Sequence, residues 1–155
     1  GNILPEPPME VPKEIMKSVN RLIESTENNG GDIRKHLSEF SNEETFNISW
    51  EVAAAVESLN IVSSRWVIEI MTAIYIAGPQ RFNQLKKLLD GISSRTLSDK
   101  LRLLVDEGYL ERQVIDGPPL RTIYAATEHG MKVGRMFGSL VAYLKIELGM
   151  IKEKQ

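Results

Sequence analysis

The apolar periodicity of this chain predicts a mainly α-helical fold with one small β-hairpin. Three observations carry that expectation. Apolar residues recur at helical spacing over most of the 155 residues. The period switches to alternation between Tyr109 and Ala126, on either side of Asp116-Gly117-Pro118-Pro119. With 42% apolar residues, the chain is long enough for one cored domain and an appendage.

The elements follow in order. Ile3-Leu4-Pro5-Glu6-Pro7-Pro8 is proline-rich, so residues 1–8 are expected to be extended or disordered, and Gly1 reads as a remnant ahead of the natural chain. From Pro12 to Thr26, Ile15, Val19, Leu22, Ile23 and Thr26 mark a helix, and Asn28-Asn29-Gly30-Gly31 predicts its end. Asp32 then caps a short second helix carrying Ile33, Leu37 and Phe40. Residues 41–47 are polar and acidic, a loop. Ser49 to Leu59 is helical again, with Val52, Val56 and Leu59 in register. Ser63-Ser64 starts a helix from Arg65 to Ile76, apolar on most sides and therefore central.

Gly78-Pro79 ends that helix, and Arg81 to Leu89 forms a short one with Phe82, Leu85, Leu88 and Leu89 inward. Ser93 or Ser94 caps a helix running to about Glu107, closed by Gly108 in a left-handed C-cap. Tyr109–Ile115 and Arg121–Ala126 are the two strands of the hairpin. Thr127 opens a last helix with Met131, Phe137, Val141, Leu144 and Leu148 as its stripe. Residues 1–47 thus form an N-terminal extension, and residues 48–150 a helix, helix, helix, hairpin unit. That order is the outline of a winged helix-turn-helix, here with additional N-terminal helices.

Composition removes several classes of function. There are no cysteines, which excludes disulfides, thiolate metal sites and thiol-based sensing, and two histidines, His36 and His129, are too few for a histidine metal site. No nucleophile–histidine–acid set is composable from these two isolated histidines, and no phosphate-binding glycine loop occurs, so no enzyme activity and no cofactor are expected. The longest apolar stretch, Val67 to Ala77, is interrupted by Glu69 and Thr72, so no membrane association is expected and the cytoplasm is the expected compartment. The net charge of −2 is unevenly distributed: residues 1–60 hold eleven acids and five bases, the remainder fourteen bases and ten acids.

The positive half concentrates where a duplex could be read. Between Arg81 and Arg102 six bases face two acids. On a helix over residues 93–106, Leu97, Leu101, Leu104 and Val105 fall on one side and Arg95, Asp99, Arg102 and Asp106 on the other. Ser94, Thr96, Ser98 and Lys100 lie on the flanks. Arg and Lys neutralise phosphates, Arg can also grip guanine through two hydrogen bonds, and Ser and Thr serve phosphates or base edges. The candidate DNA-binding residues are Arg81, Lys86, Ser93, Ser94, Arg95, Thr96, Ser98, Asp99, Lys100 and Arg102, with Arg112 and Arg121 on the hairpin. A charged helix back is also the ordinary surface of a soluble protein, where Arg95 and Arg102 would pair with Asp99 or Asp106.

The stretch from about Leu59 to Leu148 resembles the HxlR family of winged-helix transcriptional regulators, relatives of the MarR group. Ser64-Arg65-Trp66 is similar to that family's Gly-Lys-Trp entry to the central helix. Gly78-Pro79-Gln80-Arg81-Phe82-Asn83-Gln84-Leu85 is similar to its G-x-x-RFxEL segment, and Gly91-Ile92-Ser93-Ser94-Arg95-Thr96-Leu97-Ser98 to its GISxxxLS start of the recognition helix. Leu101, Leu104, Gly108, Tyr109, Leu110 and Arg112 fit its exit into the wing. Pro118-Pro119 to Tyr124, followed by Thr127-Glu128-His129-Gly130, resembles its PPxxxYxLTxxG segment.

The resemblance implies a regulator that binds double-stranded DNA as a homodimer, with the interface supplied by Ser49–Leu59 and Glu128–Leu148. Three departures stand out. Many members sense oxidants through a cysteine that this chain lacks, the first 47 residues have no counterpart, and Ala126 replaces the usual leucine. The extension is open to three readings: a dimerisation arm, a cap over an unidentified small-molecule effector, or a segment that docks a protein partner. The competing function is a winged-helix protein–protein module that docks a basic partner through its acidic N-terminal region and binds no DNA.

Overall fold

The computed structural model describes residues 3–40 and 47–155. In chain order the elements are β1 (Met9–Val11), α1 (Lys13–Glu39), α2 (Ile48–Leu59), α3 (Val67–Ala77), β2 (Gln80–Arg81), α4 (Phe82–Leu88), α5 (Ser94–Asp106), β3 (Leu110–Ile115), β4 (Arg121–Ala126), α6 (Glu128–Glu147) and β5 (Ile151–Glu153). The architecture is mainly α with a small antiparallel sheet, as the periodicity predicts. The expected character of Gly1 and Asn2, and residues 41–46 of the loop expected over 41–47, lie outside the described residues. Among the described residues no helix is long and apolar enough to cross a membrane, and no cluster of His, Asp or Glu could hold a metal ion.

The chain divides into two compact units, Ser49–Arg135, and Gly1–Ile48 together with Met136–Gln155. The core belongs to the first. Val67, Ile70 and Ile74 of α3, Leu85 of α4, Leu97, Leu101 and Leu104 of α5 and Leu110 of β3 are almost completely buried, with Leu89 and Ile92 sealing the turn between α4 and α5. Trp66, Phe82 and Tyr124 pack against this cluster, so both aromatics Trp66 and Tyr124 serve the core. Trp66, the N-cap of α3, has φ of 75°, and the helix starts at Val67, two residues later than the serine pair suggests.

The sheet has order β2-β4-β3. β3 and β4 pair antiparallel from Leu110↔Ala126 to Ile115↔Arg121, and β2 adds Gln80↔Tyr124 and Arg81↔Ile123. α5 ends at Gly108, whose φ of +81° is the left-handed C-cap that the sequence predicts. The Tyr109 N–H donates to the Leu104 carbonyl at 2.8 Å and the Gly108 N–H to the Val105 carbonyl at 3.1 Å, a Schellman closure that turns the chain into β3. The Thr127 hydroxyl donates to the Gly108 carbonyl and accepts from the Gly130 N–H at 3.0 Å, locking the start of α6 to that turn.

In the second unit the helix does not stop at Asn28-Asn29-Gly30-Gly31: α1 runs unbroken for 27 residues, and Asp32 lies inside it rather than capping a second helix. Each glycine costs a helix only about 1 kcal/mol relative to alanine. No proline intervenes, and continuation keeps Ile33 and Phe40 in phase with Ile15 and Leu22. Two further strands have no local signal in the sequence. β1 and β5 pair in parallel, Met9↔Ile151 to Val11↔Glu153, and α1 packs on β5. Residues 3–8 precede β1 without a regular element.

Candidate nucleic-acid interface

α4, a tight turn and α5 form a helix-turn-helix. Its geometry begins with Ser93, whose hydroxyl accepts the Thr96 N–H at 3.0 Å and donates to the Thr96 hydroxyl at 2.9 Å. That is an N-cap, and it satisfies one of the free N–H groups at the helix start. Both hydroxyls are therefore engaged with each other. Lys86 of α4 is half-buried, and its ammonium donates to the Ile92 carbonyl at 3.2 Å, tying α4 to the turn with one of its three donors.

Burial of Leu97, Leu101 and Leu104 aims the opposite side of α5 outward. Arg95, Ser98, Asp99 and Arg102 are exposed there, and Ser94 is exposed on the flank. Thr96 and Lys100 are half-buried at the other flank. Arg95 and Arg102 are not held by Asp99 or Asp106: no ion pair engages them among the described residues. Leu103, which the helical projection puts toward the exposed side, is half-buried.

An open cleft of about 400 Å³ adjoins the start of α5, lined by Arg65, Trp66, Gly91, Ile92, Ser93, Thr96 and Lys100. The Arg65 guanidinium lies 5.3 Å from the centre of the Trp66 ring, a cation–π contact that holds the cation at the cleft wall. Arg65 is absent from the candidates read from the sequence. Its proximity to Lys100 depends on how α3 meets α5, which no local spacing reveals; the one available hint is its place in the Ser64-Arg65-Trp66 segment.

The sheet sorts the remaining cations by pleat. Side chains directly opposite in paired strands share a face. Arg81, Ile123 and Gln113 form one such row, and Arg121 with Ile115 lies on the same face. Arg112 stands in the alternate row, at the outer end of Gln80–Tyr124–Arg112 on the edge strand, on the face that carries the core residues Tyr124 and Leu110. The structure thus brings Arg81 and Arg121 to one face and separates Arg112 from them. Arg81 also heads α4, its N–H donating to the Gln84 side-chain oxygen at 2.8 Å.

A helix held by its apolar side with free arginines on its back, next to a three-stranded sheet edged with cations, is the arrangement of a winged helix. The family model of HxlR-like helix-turn-helix proteins matches residues 61–150, more than half of the chain. The chain belongs to the HxlR-like family. It is 33% identical over 84 residues to the HTH-type transcriptional regulator YvaP of Bacillus subtilis, covering 54% of this chain and 77% of that protein. It is 28% identical over 102 residues to the regulator YtfH of Escherichia coli, covering 66% and 80%.

Among solved structures, a MarR-family regulator from Enterococcus faecalis superposes with a TM-score of 0.55 at 26% identity, covering 70% of this chain and 94% of that one. Diamide-treated YodB from Bacillus subtilis gives 0.50 at 26%, covering 64% and 92%. This HxlR-like chain is a DNA-binding transcription regulator of the winged-helix type. α1 lies outside the family match altogether.

Proposed function

We propose that the protein regulates transcription as a homodimer that reads duplex DNA with α5 in the major groove and the β3–β4 wing on the flanking backbone. The observation that carries this reading is the outward face of α5, where Arg95 and Arg102 stand exposed and without an ion-pair partner among the described residues. Arg95, Asp99, Arg102 and Ser98 face base edges. Ser94, Thr96, Lys100 and Arg65 face the backbone beside them. Arg81 and Arg121 meet phosphates from the outer face of the sheet, and Arg112 from the other. Lys86 and Ser93 act chiefly by holding the turn and the helix start.

Two half-sites about one helical turn apart, or a multiple of it, would suit two such helices. α2 buries none of its residues, and Val52, Val56 and Leu59 are exposed, as is fitting for a helix that meets a second copy. YodB has been solved after treatment with diamide, a thiol oxidant, but no thiol response can operate within these 155 residues, which hold no cysteine.

Mobility shift against a mixture of duplexes at two salt concentrations tests the reading. Arg95→Ala should reduce discrimination between the preferred and a scrambled duplex by about 1–3 kcal/mol, while Arg121→Ala should weaken both alike and lower the salt slope by about one. Equal loss for both duplexes in Arg95→Ala, or no shift by the native chain, overturns it.

A further inference from the structure

We infer that α1 is a self-pairing arm: it forms an antiparallel two-helix coiled coil with α1 of a second copy of this chain. The inference deepens the dimer reading above and rests on it for the existence of the second copy. It concerns a helix that the family match does not include.

α1 is unusual for a helix of 27 residues in that none of them is buried. On a helix turning ~100° per residue, Ile15, Leu22, Thr26, Ile33 and Phe40 fall within about 20° of one line. Met16, Val19 and Ile23 lie to one side of that line and are the half-buried residues, turned toward the unit in which α1 packs on β5. Most of the line stays open to solvent: Leu22 is 59% exposed, Ile33 60% and Phe40 81%, while midway along it the Thr26 hydroxyl donates to the Ser139 hydroxyl of α6 at 3.3 Å. From residue 24 onward the helix has no half-buried residue at all, yet it carries Gly30 and Gly31 in its interior. A helical half with two glycines and an uncovered apolar line is not stable on propensity alone.

Charge selects the occupant. Lys13, Lys17 and Arg21 against Glu14 give the first ten residues of the helix a net +2, and Glu24, Glu27, Asp32 and Glu39 against Arg34 and Lys35 give the rest −2. This order opposes the helix dipole, which favours acids at the N-terminal end and bases at the C-terminal end. It therefore does not serve the isolated helix. It is complementary to a copy of itself running the other way, where each positive half lies against a negative half under a twofold axis.

The apolar pattern agrees with the same arrangement. Taking Ile15, Leu22, Asn29 and His36 as one core position of a heptad and Val19, Thr26, Ile33 and Phe40 as the other, antiparallel packing sets Ile15 of one copy opposite Phe40 of the other and Leu22 opposite Ile33, with the half-buried Val19 at the margin of the seam opposite His36. Thr26 falls opposite Asn29 near the axis, a polar layer of the kind that fixes register.

The absence of cysteine makes the test direct. A full-length chain carrying Leu22→Cys and Ile33→Cys together should convert almost wholly to a covalent dimer on oxidation, while each single variant stays monomeric on a denaturing gel. The two positions are about 16 Å apart along one helix, too far for a bond within a chain. Both sites are exposed, and circular dichroism of the reduced variants checks that they fold. Ile15→Cys with Phe40→Cys samples the same register a second time.

Single variants that cross-link as readily as the doubles would indicate parallel pairing and overturn the proposal. So would both double variants remaining monomeric on the gel, whether light scattering shows the native chain to be dimeric or monomeric. A chain that shifts DNA without cross-linking loses this inference and keeps the DNA reading, and a cross-linked chain that shifts no DNA does the reverse.

Discussion

α5 and α1 are both amphipathic, yet the fold treats them oppositely. α5, with 13 residues, buries Leu97, Leu101 and Leu104 completely; α1, twice as long, buries nothing. A periodic stripe in a sequence states that a helix has an apolar side. It does not state whether the cover comes from the same chain. In the unit from Ser49 to Arg135 the cover is intramolecular, and the stripe of α5 becomes the anchor that aims its charged back outward. In the other unit the stripe of α1 faces solvent along most of its length.

The largest effect that sharpens this contrast comes from truncating each stripe. Leu97→Ala removes a fully buried side chain and should cost about 2–5 kcal/mol in chemical denaturation, at any protein concentration. Leu22→Ala, at a site 59% exposed, should cost less than about 1 kcal/mol in dilute protein and progressively more as concentration rises, because its partner is another molecule. Equal and concentration-independent losses would erase the distinction.

A smaller break tests how tightly the first unit is closed. A Cβ at Gly130 would collide with the Tyr109 carbonyl oxygen and come within 3.3 Å of the Met71 side chain. Gly130→Ala should therefore lower stability by about 1–3 kcal/mol, read as a drop in melting temperature. Ser93→Ala removes the cap of α5 and leaves the Thr96 N–H without its side-chain acceptor, a loss of about 1 kcal/mol. The same variant should weaken DNA binding less than Arg95→Ala does, since Ser93 acts mainly by starting the helix that Arg95 stands on.

What was legible in the sequence follows the same division. α5, its Ser93 cap, its Gly108 ending and the β3–β4 pair are written in local patterns, and the structure has them within a residue or two. β2 is two residues long, and two residues carry no period. β1 finds its partner at the far end of the chain, so nothing near Met9 announces it. The stop predicted at Gly30-Gly31 weighed local propensity against a stripe that continues in phase beyond it, and the stripe prevailed.

In the site, the exposed back of α5 could be projected from spacing. The separation of Arg112 from Arg121 could not, because it depends on strand register, which the residues between Ile115 and Arg121 set. Arg65 depended on packing between α3 and α5. These are the non-local parts of the site, and each needs the fold before it can be placed.

The smallest predicted effect has the opposite sign from the others. Gly31 lies inside α1, has no positive φ, and a Cβ added there meets nothing within 4 Å. In the heptad above it points away from the core line and from the half-buried flank. Gly31→Ala should thus raise helicity and stabilise the protein by about 0.5–1 kcal/mol, seen as increased ellipticity at 222 nm and a higher melting temperature, with DNA binding unchanged. Gly130→Ala and Gly31→Ala are the same chemical change within helices of the two regions. If both destabilised, the chain at Gly31 would not be helical in solution, and the division between a closed unit and an open arm would fail at its most exposed point.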